Sequence, residues 1–413
     1  MEAKNAAENR VKTAGWTEPV TIWNKMFVSI FLINIALNMG QQMSNSLLSL
    51  YAKSTGAPAD QIGQLMSMFA VTALIFRFIS GPAMNSFNRK TLVVMAMCFM
   101  ATAYVGFSFA PAISKALGIE VISVLKCFRL IQGVGNAFGN SCCLTIVSDA
   151  LPRDKFSTGM SYYACALVIS QAIGPTVGIF IRDLFGYQST YLIFFGIMLT
   201  AILGASLVKV APNERVPFRL EINNMIAKEA LVPAGVTFLV AMGFTSISSF
   251  LLVYAEERGI GGASLFFTVY AVTMLGTKPI IGKLTDHYGF VKVAIPAVLM
   301  TIFSLVLIAY ASGLPILLAA AFVNAFGYGA VQPMLQSLCM KSVRPERRGT
   351  ASGTNYISSD LATIIGPTVC GGVAAAFGYT PVMWLVMAIP IFVGVLFIFI
   401  FRKHINKIES AFL

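Results

Sequence analysis

The sequence predicts an all-α membrane protein with twelve transmembrane helices in two pseudo-symmetric six-helix bundles. Three observations predict it. Apolar residues make up 57% of the 413 residues and charged residues 11%, with a mean hydropathy of +0.78, whereas soluble domains carry about 25% charged residues. Apolar runs close to the ~20 residues that cross ~30 Å of hydrocarbon recur along the whole chain. The second half also repeats landmarks of the first at fixed offsets.

The apolar runs place spans at 26–50, 62–82, 91–111, 121–149, 157–182 and 187–209, then at 229–255, 263–284, 291–311, 314–340, 350–376 and 380–402. Short polar or Gly/Pro-containing pieces separate them. The predicted organisation is a cytoplasmic N-terminal segment (1–25), a first bundle (26–209), a linker (210–228), a second bundle (229–402) and a cytoplasmic tail (403–413). The linker is the longest polar stretch inside the chain. The segment from Met1 to Trp23 carries Glu2, Glu8 and Glu18 and does not read as a cleavable signal peptide.

The formal net charge of +12 raises the question of nucleic acid, and the placement of the cations answers it. With the N-terminus inside, 21 of the 29 Lys and Arg residues fall in inside segments and five outside, while Arg77, Arg129 and Lys278 lie within or at the ends of spans. This is the positive-inside pattern of a cytoplasmic-membrane protein with both ends in the cytoplasm. No nucleic-acid partner is expected; the expected partners are lipid and a small-molecule substrate, and the expected state is a monomer. The seven cysteines lack metal-site or disulfide spacing and read as small packing residues. His287 and His404 lie in separate cytoplasmic segments and give no metal site. The run Gly133-Val-Gly135-Asn-Ala-Phe-Gly139 sits inside an apolar helix rather than after a strand, so it is not a nucleotide loop. No cofactor is expected; without a nucleotide loop, ATP is not the expected source of energy, and an ion gradient, a proton gradient first, or facilitated diffusion remains.

The repeat is visible residue by residue. Arg77-Phe-Ile-Ser-Gly81 and Lys278-Pro-Ile-Ile-Gly282 stand 201 positions apart, each ending the second span of a half and leading into a short basic turn. Gly174-Pro175-Thr-Val and Gly366-Pro367-Thr-Val stand 192 apart, as do Gly186-Tyr187 and Gly378-Tyr379.

At these residues the chain resembles the major facilitator superfamily, and within it the twelve-helix drug:proton antiporter branch. The family's loop motif Gly-x-x-x-Asp-x-x-Gly-x-Lys/Arg is matched by Gly282, Asp286, Gly289 and Lys292. In the first half Gly81, Arg89 and Lys90 match, but Asn85 and Asn88 replace the Asp and Gly. The resemblance implies that the motif's Asp holds the inner side shut against a helix N-terminus. An Asn there keeps hydrogen bonding but loses the charge–dipole contribution of ~0.3–1 kcal/mol. Arg129-x-x-Gln132-Gly133-x-Gly135 matches a motif whose Arg is linked to proton coupling. Residue chemistry leaves a second reading open, a guanidinium snorkelling to the outer interface. Ser170, Gly174, Pro175 and Gly178 match the antiporter motif of span 5, and Ala362, Gly366 and Pro367 repeat it in span 11. The small residues and the bend are expected to form a rocking contact.

Asp360 is the candidate proton carrier, about ten residues into span 11 and so roughly 15 Å deep. A structural hydrogen bond to neighbouring Ser or Asn groups is the competing reading. Asp149, ending span 4, is the candidate gate partner of Arg89, and a solvated helix end is the alternative. Arg77 and Lys278 are counted with the gating motifs. The candidate substrate-cavity residues are Asn34, Asn38, Gln41, Gln132, Asn136, Tyr163, Asn324, Gln332, Asn355 and Tyr356. Interhelical glue explains each of them equally well. Span 1 has no carboxylate, which disfavours strongly cationic drugs.

The functional expectation is proton-coupled efflux of a small amphipathic compound by alternating access. Import or exchange of a sugar or organic anion is the alternative. A membrane enzyme or receptor would need clustered titratable groups or an appended soluble domain, and neither is visible.

Overall fold

The computed structural model describes residues 21–57, 59–207, 217–218 and 225–412. Most of the predicted N-terminal segment and linker therefore lies outside the described residues. The first half contains span 1 (Lys25–Ser54), span 2 (Ala59–Ser86), span 3 (Arg89–Ser108), span 4 (Val121–Ala150) and a continuous helical stretch, Phe156–Leu207. That stretch turns at Gly186, whose φ of 75° and ψ of 172° are open to glycine without a Cβ penalty, and so divides into spans 5 and 6. The second half contains span 7 (Leu231–Glu257), span 8 (Leu265–Tyr288), span 9 (Phe290–Ala309), span 10 (Leu314–Phe326 and Tyr328–Lys341), span 11 (Arg348–Phe377) and span 12 (Pro381–Ile400). Among the described residues, eleven helices are long and apolar enough to cross a membrane, and counting the hinged one twice gives twelve passes. Gly378, 192 positions after Gly186, turns span 11 into span 12 with a φ of 68°.

Spans 1 and 3 start where the chain offers an asparagine cap. Asn24 accepts from the Phe27 N–H at 2.9 Å, and its own amide donates to the Ala150 carbonyl at 2.6 Å. Asn88 accepts from the Lys90 N–H at 3.0 Å, so the residue that departs from the family's glycine starts span 3.

Three elements differ from the sequence reading. Span 10 is broken rather than continuous. A Cβ on Gly327 would lie 2.6 Å from the Thr301 amide of span 9, and the helix interrupts at that crossing. A short helix, Ala110–Leu117, follows span 3. The tail forms a helix, Arg402–Phe412, with Ile405 buried.

Each bundle has its own apolar core. The first is centred on residues such as Phe27, Leu125, Cys142 and Tyr191, and the second on Tyr254, Phe266, Trp384 and Met387. Outward faces carry Leu32, Val71, Phe180, Val272, Phe303 and Ile389 in the open, the apolar surface that lipid covers. Gly133 and Gly135 allow span 4 to pack closely. A Cβ at either would meet a backbone carbonyl at 2.8 Å, that of Phe69 on span 2 or Ala96 on span 3.

The Gly-Pro pairs seat helices inside each bundle. Gly174 and Gly178 let span 5 lie on Gln42 and Met43 of span 1, and Gly366 lets span 11 lie on Met242 and Thr245 of span 7. The small face of each bend thus points at the first helix of its own bundle, which places the close contact of this motif within each half.

Candidate functional site

The two halves meet most closely at the face carrying the basic turns. There the Asp286 carboxylate accepts from the Ser157 N–H at 3.0 Å, the Thr158 N–H at 2.8 Å and the Thr158 hydroxyl at 2.7 Å. These are the first amides of span 5, so a negative charge sits against the positive end of a helix dipole. Gly282 lies one turn away, and a Cβ there would stand 2.7 Å from the Thr158 Cα. The first half repeats the contact at span 11. The Asn85 amide donates to the Thr350 hydroxyl at 2.6 Å, and a Cβ on Gly81 would lie 3.3 Å from the Thr350 Cα. Thr158 and Thr350 are 192 positions apart, and Asn85 and Asp286 are 201 apart, so one contact is made twice. The copies differ in charge, and the Asn85 Oδ1 is buried without a hydrogen-bond partner among the described residues.

Asp149 closes the same face. It pairs with Arg89, as expected, and also accepts from Arg348 Nη1 of span 11 at 2.7 Å. Arg89 further donates Nε to the Met84 carbonyl at 3.2 Å and Nη2 to the Pro345 carbonyl at 3.3 Å. One carboxylate therefore ties a turn of the first bundle to the start of span 11. Sequence reading missed Arg348, because one cation among four in 341–348 carries no mark of its partner.

The tail helix completes the closure. Glu409 accepts from the Phe290 N–H at 2.9 and 3.1 Å, beside Gly289 with its φ of 83°. Lys341 stands 3.9 Å from Glu409 and donates to the Ser157 hydroxyl at 2.9 Å. The Phe412 ring packs on Phe156 of the first bundle with centroids 4.9 Å apart. A signal was present in the sequence: Ile405, Ile408 and Phe412 share one helical face. Lys292 is exposed nearby.

Deeper in the seam, Arg77 of span 2 pairs through Nε with the Asp360 carboxylate of span 11. Its Nη1 donates to the Ser141 hydroxyl at 3.2 Å, and the guanidinium lies 4.4 Å from the centroid of the Tyr356 ring. The Arg77 side chain is 3% exposed and that of Asp360 24%. Sequence reading marked both residues but did not pair them. Asp360 is bonded to a cation rather than to the Ser or Asn neighbours of the competing reading.

Arg129 stays inside the first bundle and does not snorkel. Nη1 donates to Gln132 at 2.5 Å and Nη2 to Asn45 at 2.7 Å, and the group lies 4.4 Å from the centroid of the Phe69 ring. Lys278 has no exposed surface, and its Nζ lies 3.4 Å from the Gln332 Oε1.

The candidate cavity amides divide. Asn34, Asn38, Asn140 and Asn136 form a ladder between spans 1 and 4: Asn38 donates to Asn34 at 2.9 Å and to Asn140 at 3.4 Å, and Asn140 donates to Asn136 at 2.8 Å. Asn324 donates to Ser304 at 2.6 Å inside the second bundle, and Asn355 accepts from the Cys339 thiol at 3.7 Å. Asn38, Asn140, Asn324 and Asn355 are thus bonded to neighbouring helices, and Asn34 and Asn136 to the next turn of their own. Gln41 is half-buried, Tyr163 is buried and Tyr356 lies in the seam under Arg77. Among the described residues no group of three or more His, Cys, Asp or Glu side chains could hold a metal.

A multi-pass helical protein of two matched bundles, with one contact made twice at a shared face and an ion pair across the seam, has the build of a membrane transporter. The family model described as Major Facilitator Superfamily matches residues 30–232 and again 233–410, and the chain belongs to that superfamily. It is 23% identical to a multi-drug resistance efflux pump PmrA homolog of Lactococcus lactis, over 97% of this chain and 98% of the relative. Among solved structures it resembles the human organic anion transporter MFSD10, with a TM-score of 0.75 and 17% identity over 90% of this chain and 98% of that one. It also resembles FucP in its outward conformation, with a TM-score of 0.75 and 16% identity over 91% and 98% of the two chains. The chain is a transporter, not an enzyme, and the expected two-bundle helical fold is the observed one.

Proposed function

We propose that this transporter exports a small amphipathic organic compound in exchange for protons. In this reading it sits in the cytoplasmic membrane with both termini inside, so the closed basic face is the cytoplasmic face. The observation that carries the reading is the Arg77–Asp360 pair, a membrane-buried carboxylate bound across the seam to the opposite bundle. A proton taken up by Asp360 removes the charge that holds Arg77, and the seam loses its central tie. The gates at Asp286 and Asp149 then carry less of a closed-state advantage, and the basic face opens to load substrate. Deprotonation re-forms the pair and closes that face. The efflux names of the curated relatives and the Gly-Pro repeat of spans 5 and 11 support export.

The alternative is import or exchange of a sugar or organic anion on the same fold, and FucP, a fucose:proton symporter, is a structural neighbour of that kind. Proteoliposomes with an imposed pH gradient separate the two. Substrate accumulation on the proton-source side is expected. Movement of substrate with the protons would overturn the proposal.

A further inference from the structure

We infer that the transported solute carries a carboxylate or similar organic anionic group, and that Lys278 is the cation that binds it. The inference rests on the transporter reading above and narrows its substrate class. It begins from a break in the internal symmetry. Arg77 and Lys278 occupy the same place in the two bundles, 201 positions apart, and both are buried. Arg77 is neutralised by Asp360 of span 11. The residue in span 5 equivalent to Asp360, 192 positions earlier, is Val168, which is 1% exposed and packed into the core of the second bundle. The second copy of the pair has kept its cation and replaced its acid with an apolar side chain.

The surroundings do not make up the difference. An ammonium carries three donors, and one acceptor is seen within reach of Lys278, the amide oxygen of Gln332 at 3.4 Å. Arg129 is also without a carboxylate, but it is held by two amide oxygens and an aromatic face. Away from the span ends, the described residues therefore contain three cations (Arg77, Arg129, Lys278) and one carboxylate (Asp360). A lone buried ammonium is strongly disfavoured and either sheds its proton or gains a counter-charge, and in a transporter the visitor able to hold it charged is the solute. Gln332 beside the amine adds an amide able to bond the same anionic group.

Access follows from the gate. Lys278 lies on span 8, which packs on span 5, a little more than halfway toward the closed basic face. It is sealed while Asp286 holds span 5. Opening that face draws the two spans apart and exposes the amine to solute arriving from the basic side. Arg77 and Asp360 are left to the proton, and Lys278 to the anion, so the two symmetric positions divide the two tasks.

The test uses the purified full-length chain in detergent and reads thermal melting against benzoate, its uncharged isostere benzamide, and chloride at matched ionic strength. Benzoate is expected to raise the melting temperature of the wild type and of K278R, while benzamide and chloride do not. K278Q, or K278M should K278Q not fold, is expected to bind benzoate about tenfold or more weakly, the loss of one charge-assisted hydrogen bond. Without ligand it should melt no lower than wild type, since it no longer buries a lone charge. Equal shifts with benzoate and benzamide would overturn the inference. So would chloride matching benzoate, which makes the ligand an inorganic counter-ion, or an unchanged benzoate response in both variants. Binding requires no gradient, so failure of the antiport experiment and failure of this one are separate results.

Discussion

Arg77 on span 2 and Asp360 on span 11 share an ion pair across the seam between the bundles, with the guanidinium lying against the Tyr356 ring. Removing one member leaves the other buried without its counter-charge, and removing both does not. A double-mutant cycle on the purified protein, R77Q, D360N and the pair, is therefore expected to be non-additive. Each single change should cost ~3–5 kcal/mol in thermal or denaturant unfolding, and the double should recover ~1–3 kcal/mol of the sum. Additive losses would mean that the pair contributes nothing as a pair.

Asn85 and Asp286 offer a direct comparison of a neutral and a charged version of one gate. N85D places a carboxylate at the N-terminus of span 11 and is expected to favour closure of the basic face by ~0.3–1 kcal/mol. D286N removes the corresponding interaction at span 5 and should favour opening by a similar amount. Alkylation of a cysteine introduced between the bundles, with the reagent added from the basic side, reads both. The first variant should label more slowly than wild type and the second faster. The same sign of change in both would contradict the equivalence.

The glycines of the seam and of the bundle interior predict a graded series. A Cβ at Gly282 would meet the Thr158 Cα at 2.7 Å, and one at Gly366 would meet the Met242 carbonyl at 2.7 Å, both fixed backbone. At Gly174 the nearest atom is the Gln42 Cβ at 3.0 Å. G282A and G366A should each cost ~1–3 kcal/mol by overpacking, with G174A the mildest of the three. G282A acts between the bundles, so it should also speed labelling from the basic side, while G366A should not. Melting temperature and labelling rate together check the order.

Architecture was legible because it follows from local rules. Span length and the 201- and 192-residue offsets located the bundles, the matched Asn85 and Asp286 positions and the Gly186 and Gly378 turns. The Asp149–Arg89 contact was legible too, since the family motif and the end of span 4 pointed at the same pair. What the sequence withheld depends on which helix faces which. The bond between Arg77 and Asp360 joins residues 283 positions apart. Arg348 reaches Asp149 only after the bundles dock, and the Gly-Pro bends point inward because spans 1 and 7 lie there. The amide ladder of spans 1 and 4 shows the same limit: Asn34, Asn38, Asn136 and Asn140 have a composition suited to a cavity but are bonded to one another. The break at Gly327 also came from a neighbour, the close crossing of span 9.

The central claim is that a proton on Asp360 and the Arg77 pair compete for one carboxylate, and that this competition drives transport. It is tested most directly by D360N in proteoliposomes, comparing substrate movement under an imposed pH gradient with substrate exchange at equal pH. Gradient-driven accumulation is expected to disappear while exchange persists. Undiminished accumulation in D360N would contradict it.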